Sequence, residues 1–382
     1  MSWIRLAPSL SAAVLVGVCA VALAPAAHSV EVPKEGQSIK SKLATEALLL
    51  GVVRAGKRLV AVGEYGNVIL SDDDGETWRQ AKSVPTSVTL TAVHFADDKR
   101  GWAVGHDTFV MHTADGGETW TKQFGGGESD NALLSVFFKD DGRHGWAVGA
   151  FNYTLETTDG GKTWAERKTL MPPPDVPPDQ AAPAPLEDID PTAPKKTVPG
   201  AGPDDPYAAA TGDENHLNAM FAGPDAETLF IAAEAGAVYR SLDGGTTWEK
   251  VLTGYAGSFW GGLTAQDGSS YVVGMRGNIW HSTDKGATWV KLDTAGADQS
   301  VAGGVQLADG SFVFVGLGGQ VLYSSDGRAF TLTYRPDRKG LNAVILDGAD
   351  KLLVFGEAGV QAQSITPRPE EIDVPLPQPT DG

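Results

Sequence analysis

The chain has 382 residues, with 30 Lys+Arg against 48 Asp+Glu and a formal net charge of −18. Binding a phosphate backbone depends on cations that displace counterions, so this balance excludes nucleic acid as a partner and argues against adhesion to an anionic lipid surface. At 42% hydrophobic the chain is too apolar to be disordered, and its 47 glycines and 23 prolines point to many turns.

Residues 1–29 have the features of an export signal: Arg5 near the start, an apolar run from Ala12 to Leu23, and small residues from Ala24 to Ser29 where cleavage is expected. The run is shorter than the ~20 residues of a bilayer span. The expectation is therefore a periplasmic or otherwise exported protein, with an uncleaved membrane anchor as the alternative. The one cysteine, Cys19, lies inside this run, which leaves the remainder without disulfides, thiolate metal ligands or a cysteine nucleophile.

From residue 48 onward the chain repeats itself. An octet Ser/Thr-x-Asp-x-Gly-x-Thr-Trp occurs at Ser71–Trp78, Thr113–Trp120, Thr157–Trp164, Ser241–Trp248 and Ser282–Trp289, with a shortened copy at Ser324–Phe330. Its aspartates, Asp73, Asp115, Asp159, Asp243, Asp284 and Asp326, are separated by 42, 44, 84, 41 and 42 residues. Two short β-branched or aromatic runs precede each octet, such as Leu90–Phe95 and Gly101–Gly105, and a third leads into it. With a strand after the octet this makes four antiparallel strands per unit, the content of a propeller blade. Inner strands are expected near Leu48, Leu90, Leu133, Leu217, Phe259, Val301 and Leu341, giving an all-β, seven-bladed propeller over residues 30–366. The seventh unit has no octet and no outer strand, so Gln37–Ala44 is expected to close the ring as an N-terminal strand.

The doubled interval holds residues 167–213, where 12 prolines fall between positions 172 and 206. Proline cannot donate to a sheet ladder, so this is an acidic insert within the propeller and not an eighth blade. The proline-containing tail 367–382 has the same character.

Within the octet, the hydroxyl and the carboxylate two residues on can accept turn N–H groups, Gly takes a conformation closed to side chains, and Trp packs back onto the sheet. Trp78, Trp120, Trp164, Trp248 and Trp289 are thus structural, like the six aspartates. The spacing matches the Asp-box, or bacterial neuraminidase repeat, found in sialidases and in non-enzymatic propellers. Together with Gly-Trp-Ala-Val-Gly at Gly101–Gly105 and Gly145–Gly149, and Val-Gly-x-x-Gly hairpins at Val62, Val273 and Val315, it resembles the photosystem II stability/assembly factor family. The resemblance implies an exported, cofactor-free, single-ring and monomeric scaffold that binds a membrane protein or membrane complex. Photosynthetic members carry an arginine-rich patch; here the corresponding tips offer Arg276 beside Glu64, Asp107, Glu234 and Glu357. That departure favours a bacterial non-photosynthetic relative serving another membrane complex or an exporter.

Propeller topology places the hairpins between second and third strands on the same face as the crossings between blades. That face is expected to present Glu64, Tyr65, His106, Asp107, Phe151, Tyr153, Glu234, Trp260, Arg276 and Glu357, aromatics among acids suited to a protein partner. A sialidase-like glycosidase or glycan-binding propeller is the alternative. Its catalytic form needs clustered arginines, whereas Arg54, Arg100, Arg143 and Arg240 are scattered singly, so no catalytic residue is assigned. The seven histidines show no ligand spacing, so no metal is assigned either; His106–Asp107 is the pair nearest to a ligand or acid/base arrangement.

Overall fold

The computed structural model describes residues 36–126, 131–167, 215–347 and 351–363. The segment expected to be an export signal (1–29), the insert beyond Arg167 and the tail (367–382) lie outside the described residues. The first blade is a meander of Leu49–Ala55, Arg58–Gly63, Val68–Ser71 and Arg79–Gln80, each strand paired antiparallel with the next. Five further four-stranded sheets follow the same order, with inner strands starting at Leu90, Leu133, Leu217, Phe259 and Val301, and a three-stranded sheet begins at Leu341. The ring is a seven-bladed β-propeller.

From blade 2 to blade 7 the second strand is the most deeply enclosed of its blade, buried at every residue. Each blade packs face to face between two others, so alternate residues of this strand serve different neighbours. Val60 and Val62 join a cluster with Leu90, Ala103 and Met111 of blade 2, while Leu59 and Ala61 join one with Leu353 and Phe355 of blade 7.

Pairing skips one residue near the start of each inner strand: Leu50, Thr91, Leu134, Asn218, Trp260, Ala302 and Asn342. A bulge re-aims its side chain, and three of these residues bond the next blade. Thr91 Oγ1 donates to the Leu133 carbonyl at 2.6 Å, Asn218 Nδ2 to that of Phe259 at 2.7 Å, and Asn342 Nδ2 to that of Leu49 at 3.0 Å. The last bond joins the ends of the ring.

Closure differs from the sequence expectation. Among the described residues the seventh sheet has three strands, and Gln37–Ala44 is not a fourth. The Ser41 hydroxyl accepts the Leu43 N–H, and the Leu43 carbonyl accepts those of Glu46 and Ala47, so local turns displace the extended form. The segment lies along blade 1, through Ser38 N–H to Val84 O and Asn67 Nδ2 to Ala44 O, and reaches blade 7 where Val360 N–H meets Thr45 O. The ring is instead joined by the apolar face between blades 7 and 1, by Trp78 edge-on to Phe355 at 5.8 Å, and by Arg54 donating to the Leu346 carbonyl at 2.7 Å.

Candidate partner-binding face

The ring has two faces of different chemistry. On one, each Asp-box turn sits beside the loop between first and second strands, as Gly116 N–H to Lys99 O and Gly244 N–H to Glu227 O show. The five full boxes are alike. In the first, Ser71 Oγ donates to Asp73 Oδ1 and accepts the Gly75 N–H, Thr77 gives its N–H and hydroxyl to the two carboxylate oxygens, and Trp78 Nε1 donates to Gly75 O. The Trp164 indole departs from this pattern and donates to Gln123 Oε1. Hydrogen bonds to the charged form hold the carboxylates down: the Thr77 hydroxyl lowers Asp73, and the Thr163 N–H leads in lowering Asp159 to about 2. Burial opposes the shift at Asp115, Asp243 and Asp284, where the threonine bonds prevail over it. In the shortened copy Asp326 accepts the Arg328 and Ala329 N–H groups, and Phe330 replaces the indole against Phe314. These aspartates are therefore spent inside their own turns.

The opposite face is built from the hairpins between second and third strands and the crossings between blades. Gly66 N–H bonds Val88 O, Thr108 N–H bonds Asn131 O, Asn152 N–H bonds Asn215 O, and Gly277 N–H bonds Gln299 O. At the second tip position the backbone is left-handed: Tyr65 (φ 55), Asp107 (φ 57), Phe151 (φ 54), Ala235 (φ 55), Arg276 (φ 55) and Gly318 (φ 63). This turn suits glycine, so bulky residues there are costly. Tyr65 and Phe151 nonetheless occupy it with 58% and 60% of their surface exposed. Phe151 stands edge-on to His216 at 4.9 Å.

The acids expected here divide into two kinds. Glu64 Oε1 accepts the Leu48 N–H at 3.0 Å, Glu234 Oε2 the His216 N–H at 3.0 Å, and Glu357 Oε2 the Gly340 N–H at 3.1 Å. Each clamps its tip to the residue that precedes an inner strand. Their recurrence at the first tip position of blades 1, 4 and 7 was a periodic signal, and periodic residues in a propeller serve the blade. Asp107, by contrast, sits one position further on, at the left-handed residue, next to the exposed His106. Arg276 and Glu357 are exposed, and Tyr153 is half-buried, its hydroxyl raised above its usual range by burial and then by Glu166. Ile39 (38% exposed) and Leu43 (59%) were missed by sequence reasoning. Ile39 joins Tyr65 through its N–H to the Tyr65 carbonyl at 3.4 Å, a contact only the turn conformation of Gln37–Ala44 produces.

Trp260 lies elsewhere, at the bulge of the fifth inner strand, where it lines the axial channel. This cavity of about 490 Å³ is walled by all seven inner strands. Its lining is apolar or small apart from Thr91, Ser135, Asn218 and Asn342, which bond the backbone of the next blade, Ser135 by accepting the Met220 N–H at 2.9 Å. No ionisable side chain is among the described residues that line it.

No protein-family model and no curated relative matches the sequence. Among solved structures the chain is similar to YCF48 bound to a D1 peptide, with a TM-score of 0.58 and 16% identity over 88% of this chain and 99% of that one. It is also similar to two enzymes. Virginiamycin B lyase of Staphylococcus aureus gives a TM-score of 0.62 and 10% identity over 84% and 95% of the two chains. The GH74 enzyme of Niastella koreensis gives 0.58 and 13% over 83% and 52%. At these identities the shared property is the propeller fold, which serves a peptide-binding ring and enzymes alike.

Proposed function

We propose that this protein is an exported, non-enzymatic scaffold that holds a segment of a membrane protein against the hairpin-tip face of its ring. The observation that carries the reading is the exposure of Tyr65 and Phe151 at left-handed tip positions, where aromatic side chains are costly to the fold and suited to an interface. The likeness to YCF48 bound to a D1 peptide supports it, as does the resemblance of the repeats to photosystem II assembly factors. Export rests on the character of residues 1–29.

Crosslinking in intact cells followed by mass spectrometry tests this. A membrane protein should be recovered with the natural chain and lost with the double variant Tyr65→Ser/Phe151→Ser, while the thermal midpoint stays within about 2 °C because both rings are exposed. Capture that survives the double variant would overturn the choice of face. Hydrolysis of fluorogenic glycosides that disappears in Asp107→Asn or Glu234→Gln would overturn the scaffold reading itself.

A further inference from the structure

The tip face is not uniform around the ring. Blades 1, 2 and 3 carry Tyr65, Asp107 and Phe151 at the same left-handed position, so a carboxylate stands between two exposed aromatic rings on three successive blades. Ile39 extends the apolar surface beside Tyr65, and His216 backs Phe151. Lys40, next to Ile39, is turned onto the Ala81 carbonyl. On blade 2 itself Lys122 is drawn over the Phe109 ring at 5.7 Å, whereas Arg276 on blade 5 and Arg338 in the crossing before blade 7, stacked over Tyr334 at 4.1 Å, lie across the ring. Three of the other tip acids, Glu64, Glu234 and Glu357, are committed to backbone N–H groups, whereas among the described residues the Asp107 carboxylate meets no hydrogen-bond or ion-pair partner.

Resting on the reading above, we infer that the partner segment is a cationic one: a lysine or arginine between apolar side chains, its charge placed on Asp107 and its flanks against Tyr65 and Phe151. Charge complementarity supports this occupant. A chain of net charge −18 attracts a basic segment at long range, and an ammonium or guanidinium set on Asp107 gains from the carboxylate while the apolar side chains on either side of it cover the exposed rings. An anionic segment would meet the same field as repulsion.

The test uses two fluorescein-labelled peptides, one with an arginine flanked by leucines and the same peptide with glutamate in that place, titrated by polarisation against the exported chain. The arginine peptide should bind at least about tenfold more tightly than the glutamate one, and Asp107→Asn should remove most of that difference. Tyr65→Ser and Phe151→Ser should each weaken the arginine peptide while keeping its advantage. Equal binding of both peptides, or an advantage that survives Asp107→Asn, overturns the inference. In-cell capture separates the two levels: capture lost in Tyr65→Ser/Phe151→Ser but unchanged in Asp107→Asn leaves the scaffold standing and removes the cationic partner, whereas capture indifferent to all three changes removes both.

Discussion

A single residue of the Asp-box shows how a turn and a blade interface are solved together. Gly245 has φ +91, and a Cβ placed on it would lie 2.2 Å from Cζ2 of Trp146 in the preceding blade. Gly254 has a comparable φ of +87 with nothing within 4 Å of such a Cβ. Gly254→Ala should therefore cost about 1 kcal/mol, the left-handed backbone alone. Gly245→Ala adds a clash with a fully buried indole and should cost about 3 kcal/mol or more. Urea unfolding midpoints of the two variants measure the difference, and equal losses would contradict the packing account. Repeat spacing was enough to identify the glycine of the turn. That it also bears on Trp146 was illegible, because the contact joins residues of different blades.

At the scale of the element, the bulge near the start of an inner strand re-aims one side chain, and where that side chain is polar, at Thr91, Asn218 and Asn342, it bonds the neighbouring blade. Asn342 does this across the junction of first and last blades, and Asn218 within the ring. Removing either bond leaves a carbonyl partly unsatisfied and should cost about 1–2 kcal/mol. If closure is as firm as any other junction, Asn342→Ala and Asn218→Ala should lower the chemical denaturation midpoint by similar amounts. A much larger loss at Asn342 would mark the closure as the weak seam. The N-terminal segment belongs to this scale too. The missing outer strand of the seventh unit suggested that it would pair there, but Ser41 and the Leu43 carbonyl stabilise turns that lay it along blade 1. Truncation up to Thr45 removes the bonds to Val84, Asn67 and Val360 and should lower the thermal midpoint of the whole ring. An unchanged midpoint would make the segment an ornament of the first blade.

The whole molecule responds to pH through two sets of groups with opposite charge and the same sign of effect. His94 is half-buried on the first strand of blade 2, its Nε2–H donating to the Phe138 carbonyl at 3.0 Å, and burial lowers it from 6.5 to about 4 against the pull of that carbonyl and of Asp140. The unfolded chain thus binds the proton first, so stability present above pH 6.5 is lost as pH falls towards 4, by about 3 kcal/mol in total. Below that, the Asp-box carboxylates take over: Asp159 sits at about 2 against an ordinary 3.8, and the stability of its ionised turn is lost as pH falls through that window. Denaturation midpoints measured from pH 7 to 2 should fall in both ranges, and His94→Gln should reduce the upper fall alone, leaving the smaller share of His112 and His281, which burial also lowers. A midpoint that stays level between 6.5 and 4 in the natural chain would show that His94 is hydrated in solution.

Repetition by itself determined the architecture. Octets at a spacing of about 42 residues, each preceded by short apolar runs, fix strand order within a blade, because hairpins and tight turns are local and periodic. Six of the seven inner strands begin at the residues read from the sequence, and the first begins one residue later, at Leu49. The same locality placed Tyr65, Asp107 and Phe151 at hairpin tips. Only the tertiary structure decided which tip residues are free. Glu64, Glu234 and Glu357 looked equivalent to Asp107 until each was seen to meet a backbone N–H 16 to 18 residues earlier in the chain, and Trp260 was equivalent to the tip aromatics until the bulge turned it onto the axis. Bonds between segments that no short-range spacing connects choose the partner of a side chain, and among the described residues none of them engages the Asp107 carboxylate, on the blade between those of two exposed rings.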